Sequence, residues 1–433
     1  MTEIAPAEII IKNIAELLTM APENIDNTKP RRENAIRNLG NISDGAIAIA
    51  QDKIISVGST REVLSETEVN SNTKVINGEN KTALPGFVDP HTHLIFSGTR
   101  EHELTLKLEG KTYMEILKSG GGILKTVRAT RDASVTELVK QAKRRLDVML
   151  RYGTTTVEAK SGYGLAVDAE LNSLRAIKEL QKVHTIELIP TFLGAHAVPP
   201  EFSNNPDSYI DLIIDEMLPK VKSEGLAEFC DVFCEDGVFS VEQSRRVLSK
   251  GKELGLKPKL HIDEFVRLGG AELAAELQAT SAEHLMVSSE DGISAMANAG
   301  VIGVLLPGTP FAVMEKEYPN ARKMIELGLP IALATDLNPN CLTESMQFII
   351  SLACYNMKLL PAEALTAVTI NAAHAVDRAK TVGSLEVGKQ ADIIILDVPN
   401  HHHIPYHFGI NHVETVIKKG KMIIDRNGMS NTN

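Results

Sequence analysis

Cysteine is scarce in this chain. Cys230, Cys234, Cys341 and Cys354 are the only four in 433 residues. They are too few and too dispersed for a disulfide framework, so a reduced, cytoplasmic protein is the simplest expectation. No basic stripe is present, and 45 basic against 56 acidic residues give a net charge of −11. A nucleic-acid partner is therefore not expected. Apolar runs are strand-sized and none approaches the roughly 20 residues of a membrane-spanning helix, so no membrane partner is expected either. Met1-Thr2-Glu3-Ile4 lacks the basic-then-apolar layout of a secretion signal. Tryptophan is absent, which by itself excludes nothing. What is present is 43% hydrophobic, enough for a sizeable core and more than one domain.

Two rhythms divide the chain. From about Ile9 to Thr82 the signals are short and strand-like. Gly45–Ala50, the polar Gln51-Asp52-Lys53 and Ile54–Gly58 read as a hairpin. The polar stretch from Pro22 to Asn41 reads as an exposed loop. From Gly86 onward, eight apolar runs alternate with amphipathic stretches. They begin at Phe87, Thr154, Ile186, Cys230, Lys259, Ser281, Val301 and Ile331. Ser134–Tyr152 is helical, with Leu138, Ala142, Leu146 and Met149 on one face and Ser134 with Glu137 as a capping box. Asp207–Ser223, Glu344–Met357 and Pro361–Asp377 also read as helices. Eight strands with crossovers indicate a (β/α)8 TIM barrel, with a doubly wound open sheet as the alternative. Strand signals return at Gly388–Asp397 and Val413–Gly420. The expected division is 1–85 and 381–433 as two parts of one small β-sandwich domain, and 86–380 as the barrel.

In such a barrel, chemistry sits at the C-terminal ends of the strands. The first run ends in His91-Thr92-His93, and residues i and i+2 of a strand point to one side, so both imidazoles can face one metal. Later ends carry Glu158-Ala159-Lys160, Gly194-Ala195-His196, His261 with Asp263 and Glu264, His284, and Asp336-Leu337-Asn338-Pro339. Three histidines and a carboxylate suit zinc or iron, so His91, His93, His261 and Asp336 are the candidate ligands. His284 is either a further ligand or a hydrogen-bonded group beside the attacking water. Lys160 is either a carbamylated bridge between two metals or a charged loop residue.

These residues, in this order, resemble the amidohydrolase superfamily. The closer resemblance is to the branch that opens the ring of 4-imidazolone-5-propanoate in histidine degradation. It runs from about Gly45 to Gly420. It is carried by Pro85–His93, Gly120-Gly121-Gly122-Ile123, Lys160–Leu165, Thr191–Ala197, Asp231–Glu235, Gly269–Ala274, Leu305–Gly308 and Ala334–Pro339. The resemblance implies one zinc or ferric ion per subunit on His91, His93, His261 and Asp336, and a homodimer. It implies substrate contacts from Arg100, Tyr163, His196, Glu264 and Asn338, with Arg100 clamping the propionate. The catalytic roles expected are proton acceptance by Asp336, orientation of water by His284, and proton delivery by Glu264. Another cyclic amidase or a deaminase is the alternative activity. A non-catalytic barrel would be expected to lose ligands, and all four candidates are here.

The chain departs from the pattern after Asn338-Pro339. The family usually has Gly and then a small hydroxyl residue, both touching ligand, where this chain has Asn340 and Cys341. A thiol is a weaker hydrogen-bond partner than a hydroxyl, so weaker contacts are expected from this loop. Gly120-Gly121-Gly122 lacks phosphate-loop spacing and reads as a flexible segment over the mouth. Cys230 and Cys234 read as buried structural thiols. His401-His402-His403 reads as a surface loop, with a second metal site as the lesser reading.

Overall fold

The computed structural model describes residues 6–111, 115 and 120–426. Met1–Ile4, read above for a signal, lie outside them. The chain forms two compact units, one from Met1–Asp89, Val148–Thr156 and Ser345–Asn433, the other from Pro90–Asp147 and Val157–Glu344.

The small sheet draws on both ends of the chain. Its strands are β1 (Ile9–Leu18), β2 (Asn41–Ala50), β3 (Lys53–Ser59), β4 (Lys74–Asn77) and β5 (Thr82–Pro85). β2 and β3 form the expected hairpin, with Ala50 opposite Lys53 and a two-residue turn at Gln51-Asp52. Further on come β14 (Ile393–Leu396), β15 (Val413–Lys418) and β16 (Lys421–Asp425), the last with no expectation from sequence. One continuous sheet results, in the order β16-β15-β14-β5-β1-β2-β3, with β4 also on β1. β1 manages two partners by its length: Ile9–Lys12 pairs with β4, and Glu16-Leu17 with β5. Ile9, Ile11, Ile14 and Leu17 pack with Ile393, Ile395 and Ile417, so neither end buries its core alone.

Two expectations here are corrected. The stretch from Pro22 to Asn41 is partly interior: Glu33–Arg37 forms a 3₁₀ turn, and Ile36 and Arg31 are buried. Arg31 is tolerated there because its guanidinium donates to the carbonyls of Met20 and Asn38. His401 is likewise buried, against Glu16, rather than lying in a surface loop.

The second sheet holds all eight strands expected of the barrel. They are β6 (Phe87–Asp89), β7 (Thr154–Lys160), β8 (Glu187–Ala195), β9 (Phe229–Cys234), β10 (Lys257–Ile262), β11 (Ser281–His284), β12 (Ile302–Leu305) and β13 (Ile331–Leu333). They are hydrogen-bonded in chain order, and the pairs from β8 to β13 are parallel. Just past the strand ends, Thr92 and Leu337 form a parallel bridge, which brings the first strand's extension to the last. An open doubly wound sheet has no such seam.

Crossover helices follow the amphipathic stretches. Val135–Arg151 buries Leu138, Ala142, Leu146 and Met149, and Ser134 Oγ accepts from Glu137 N–H at 3.2 Å. The helix expected over Asp207–Ser223 is a composite of Pro206–Leu212, a wider π turn at Ile213–Met217, and Leu218–Glu224. That expected over Pro361–Asp377 breaks into Pro361–Ala367 and Ile370–Ala375. Among the described residues, no helix is long and apolar enough to cross a membrane.

Candidate active site

The strand ends bring His91, His93, His261 and Asp336 together. His91 Nε2 and His93 Nε2 each lie 3.5 Å from Asp336 Oδ1, and His261 Nε2 lies 3.3 Å from His93 Nε2. The backbone fixes this meeting. Asp336 N–H donates to His91 C=O at 3.2 Å, and His93 N–H donates to Leu337 C=O at 2.9 Å. Ligands from the first and last strands are thus stitched to each other directly. Asp336 takes a left-handed backbone conformation, φ +51°, as do Asp263 (φ +53°) and His284 (φ +74°). Left-handed non-glycine residues cost free energy, and three at or just beyond the ends of β10, β11 and β13 mark a site where geometry outranks local comfort.

The donor set fits a metal cation. His91 Nδ1 and Nε2, His93 Nδ1 and Asp336 Oδ1 are buried without a hydrogen-bond partner, a costly state unless something else binds them. Burial pushes the imidazoles of His91, His93 and His284 well below their usual range, helped by Lys160, His196 and His261 respectively. They are neutral at pH 7, the form that ligates metal. Burial raises the Asp336 carboxyl, while a hydrogen bond from Thr309 opposes this. That bond lands on Asp336 Oδ2, so the oxygen expected to be spare is engaged. Nothing in the sequence pattern singled out Thr309.

Around this centre the expected substrate residues are placed unevenly. His196 stacks on His93, centroids 4.7 Å apart and planes 15° apart, and Tyr163 meets His196 edge-on at 5.2 Å. His196 Nδ1 lies 2.9 Å from Gly162 C=O, which only accepts, so Nδ1 carries the proton and Nε2 is an acceptor. Burial holds His196 at a pKa of about 3, which keeps it neutral. Glu264 Oε2 stands 3.8 Å from His284 Nε2, and burial, with Asp336 nearby, raises the Glu264 carboxyl well above its ordinary value. Arg100 is buried and already paired: its Nε and Nη2 each lie 2.9 Å from Glu103 Oε2. Asn338 is turned into its own loop, donating to Asp336 C=O at 2.7 Å and accepting from Asn340 and Cys341 N–H. The Cys341 thiol lies 3.6 Å from Thr335 C=O.

Lys160 corrects a reading. It is not a loop residue but the last residue of β7, fully buried, with Nζ 2.7 Å from both Glu158 Oε1 and Asp231 Oδ2. Although burial disfavours its charge, Asp231 and Glu158 raise its pKa strongly. It is a committed ammonium, whereas carbamylation needs a free amine. Asp231 in turn lies 3.0 Å from His261 Nδ1. Three other carboxylates that sequence reading left without a role shape the site. Glu235 accepts from the N–H groups of Glu264, Phe265 and Val266. Glu170 accepts from those of Gly162, Gly164 and Leu165. Glu103 accepts from Gly122 at 2.8 Å, which anchors the end of the glycine run read as flexible. Buried acids of this kind are legible only once the loops they hold are known.

The model of the amidohydrolase family matches residues 82–423. An imidazolonepropionase of Alkaliphilus oremlandii (strain OhILAs) is 54% identical over 420 residues, covering 97% of this chain and 98% of that protein. One from Geobacillus kaustophilus (strain HTA426) is 50% identical, covering 96% and 98%. At the level of fold alone, an adenosine deaminase from Xanthomonas campestris with bound zinc superposes with a TM-score of 0.72 at 18% identity, covering 97% of this chain and 94% of that one. The chain belongs to the amidohydrolase family, and its sequence groups it with the imidazolonepropionases.

Proposed function

We propose that this chain hydrolyses a ring carbon–nitrogen bond of 4-imidazolone-5-propanoate to give N-formimidoyl-L-glutamate, a step of histidine degradation, in the cytoplasm. The observation that carries the reading is the His91–His93–His261–Asp336 cluster with its orphaned donor atoms, in a chain that shares half its residues with imidazolonepropionases. These four residues would hold one zinc or ferric ion. Such an ion supplies Lewis acidity and lowers the pKa of water.

The remaining roles fall to the chain itself. His196 Nε2 accepts from a ring N–H, and Tyr163 closes the ring's edge. Arg100 takes the propionate with the donors that Glu103 leaves over. His284, neutral, orients water toward the ring carbonyl. Asp336 takes the water's proton on Oδ2, and the Thr309 hydroxyl must turn aside as it arrives. Glu264, held protonated, delivers a proton to the leaving ring nitrogen. Asn338 shapes the loop that also presents Asn340 and Cys341. The division into 1–85 with 381–433 and 86–380, and a homodimeric state, belong to the same reading.

The test is turnover of synthetic 4-imidazolone-5-propanoate by the purified chain, before and after chelation, with product mass determined. Loss of the ring with gain of one water supports the reading. No turnover by metal-loaded protein would sink the substrate assignment, and release of ammonia would mark a deaminase. Full turnover by demonstrably metal-free protein would remove the metal.

A further inference from the structure

Arg100, the residue assigned to the substrate's tail, is half-neutralised by Glu103, since both its Nε and one terminal nitrogen address a single Glu103 oxygen. A second cation stands beside it. Lys107, from the short helix His102–Leu108, donates from Nζ to Asn340 Oδ1 at 2.6 Å. Its ammonium is pulled below its usual range by burial first and by the repulsion of Arg100 second, with Glu103 opposing. Glu103 pairs with Arg100, whereas Lys107 is bonded to a neutral amide, so among these three groups one unit of positive charge is left over. The partner that fixes Lys107 is a neutral amide, which orients the ammonium without cancelling it.

The bond is part of a chain that reaches the metal ligands. Lys107 Nζ donates to Asn340 Oδ1, Asn340 N–H donates to Asn338 Oδ1 at 2.7 Å, and Asn338 Nδ2 donates to Asp336 C=O at 2.7 Å. The loop after β13 is thus tied at one end to a ligand and at the other to a cation. An anion arriving between Arg100 and Lys107 meets a point charge beside a planar fork, a combination that suits a carboxylate.

We propose that Lys107 is a specificity-determining residue: held by Asn340, it joins Arg100 to form the cationic end of the site and selects substrates with a carboxylate tail. The proposal deepens the reading given above and rests on it for the identity of the substrate.

The test compares two probes that are not turned over: imidazole-4-propanoate, and 4-propylimidazole, which lacks the charge. Their dissociation constants are measured by calorimetry on metal-loaded full-length protein, for the parent chain and for Lys107→Met, Lys107→Arg and Asn340→Gly. Lys107→Met is expected to weaken the carboxylate probe about tenfold or more, the scale of a lost charge-assisted bond, and to leave the uncharged probe unchanged. KM should rise by a similar factor while kcat stays within about threefold, because the charge acts on binding rather than on chemistry. Lys107→Arg should retain most of the affinity. Asn340→Gly should fall between, and it gives the answer if Lys107→Met does not fold. Equal weakening of both probes, or no weakening of the carboxylate probe, overturns the proposal. If the carboxylate probe depends on Lys107 but 4-imidazolone-5-propanoate is not turned over, the clamp stands and the substrate assignment falls.

Discussion

Asp231 Oδ2 lies 3.0 Å from Nδ1 of His261, and the far nitrogen of the same ring, Nε2, lies 3.3 Å from His93 Nε2. One carboxylate therefore sets which way the His261 ring presents its ligand atom. Asp231→Asn keeps the shape and removes the charge. Loss of such an outer partner costs about 10–100-fold in metal affinity. Competition against a chelator of known affinity measures it, and an unchanged metal constant would show that the contact is only structural.

Lys160 is the counter-charge of that carboxylate and of Glu158, with no exposed side-chain surface on any of the three. Lys160→Met leaves two buried carboxylates facing each other without a cation. Breaking a buried pair by removing one partner costs about 3–5 kcal/mol. Chemical denaturation should show a loss of that size, far beyond the effect of removing an exposed pair such as Arg175–Glu224. A loss under about 1 kcal/mol, the range of surface pairs, would mean the network is hydrated.

The eight strands and the four candidate ligands were legible because both are local signals. A β-branched run and the polar residue that ends it lie within a few positions of each other. The rest was not local. Thr309 reaches Asp336 from the start of the helix Gly308–Val313 that follows β12, and Glu235 reaches the backbone of Glu264 from β9's end. Their partners become neighbours only when consecutive strands pair in parallel across a long crossover, so no spacing announces them. Three consecutive histidines look hydrophilic, which points His401 to the surface. Its burial is decided by Glu16, at the other end of the chain. The break between Ala367 and Ile370 has no local signal either, since apolar residues continue across it without a proline or glycine.

Glu264 gives a signed pH dependence. Its folded carboxyl is raised by burial, so the proton is present below that value and lost as pH rises through it. A bound cation draws the value back down. If Glu264 is the acid, kcat should fall on the alkaline side, and Glu264→Gln should lower kcat by about 10²-fold or more and abolish that limb. A limb that survives in Glu264→Gln belongs to another group.

Glu16 offers the opposite sign, in stability. It accepts from His401 N–H at 2.6 Å and lies 3.0 Å from His401 Nδ1. Burial works to raise its pKa, but the bonds with His401 prevail and lower it. A depressed carboxyl stabilises the fold above its ordinary value of about 4.3, and this contribution is lost as pH falls through the folded value. Glu16→Gln should cost about 1–3 kcal/mol at pH 7 and less in acid, so the two proteins' melting temperatures should converge as pH falls. Parallel melting curves across pH would refute the link.

The seam between His91 and Asp336 also dictates when the centre can exist. Two of its ligands leave the ribosome early, and the carboxylate and the backbone groups that stitch it to His91 and His93 arrive only with the eighth strand. A nascent chain that stops short of β13 carries three imidazoles but lacks both the carboxylate and the backbone bonds that hold His91 and His93 to Asp336 and Leu337. Such long-range closure is the slow step of a topology like this one. The full donor set of His91, His93, His261 and Asp336 is therefore assembled only when the first and last strands of the barrel meet.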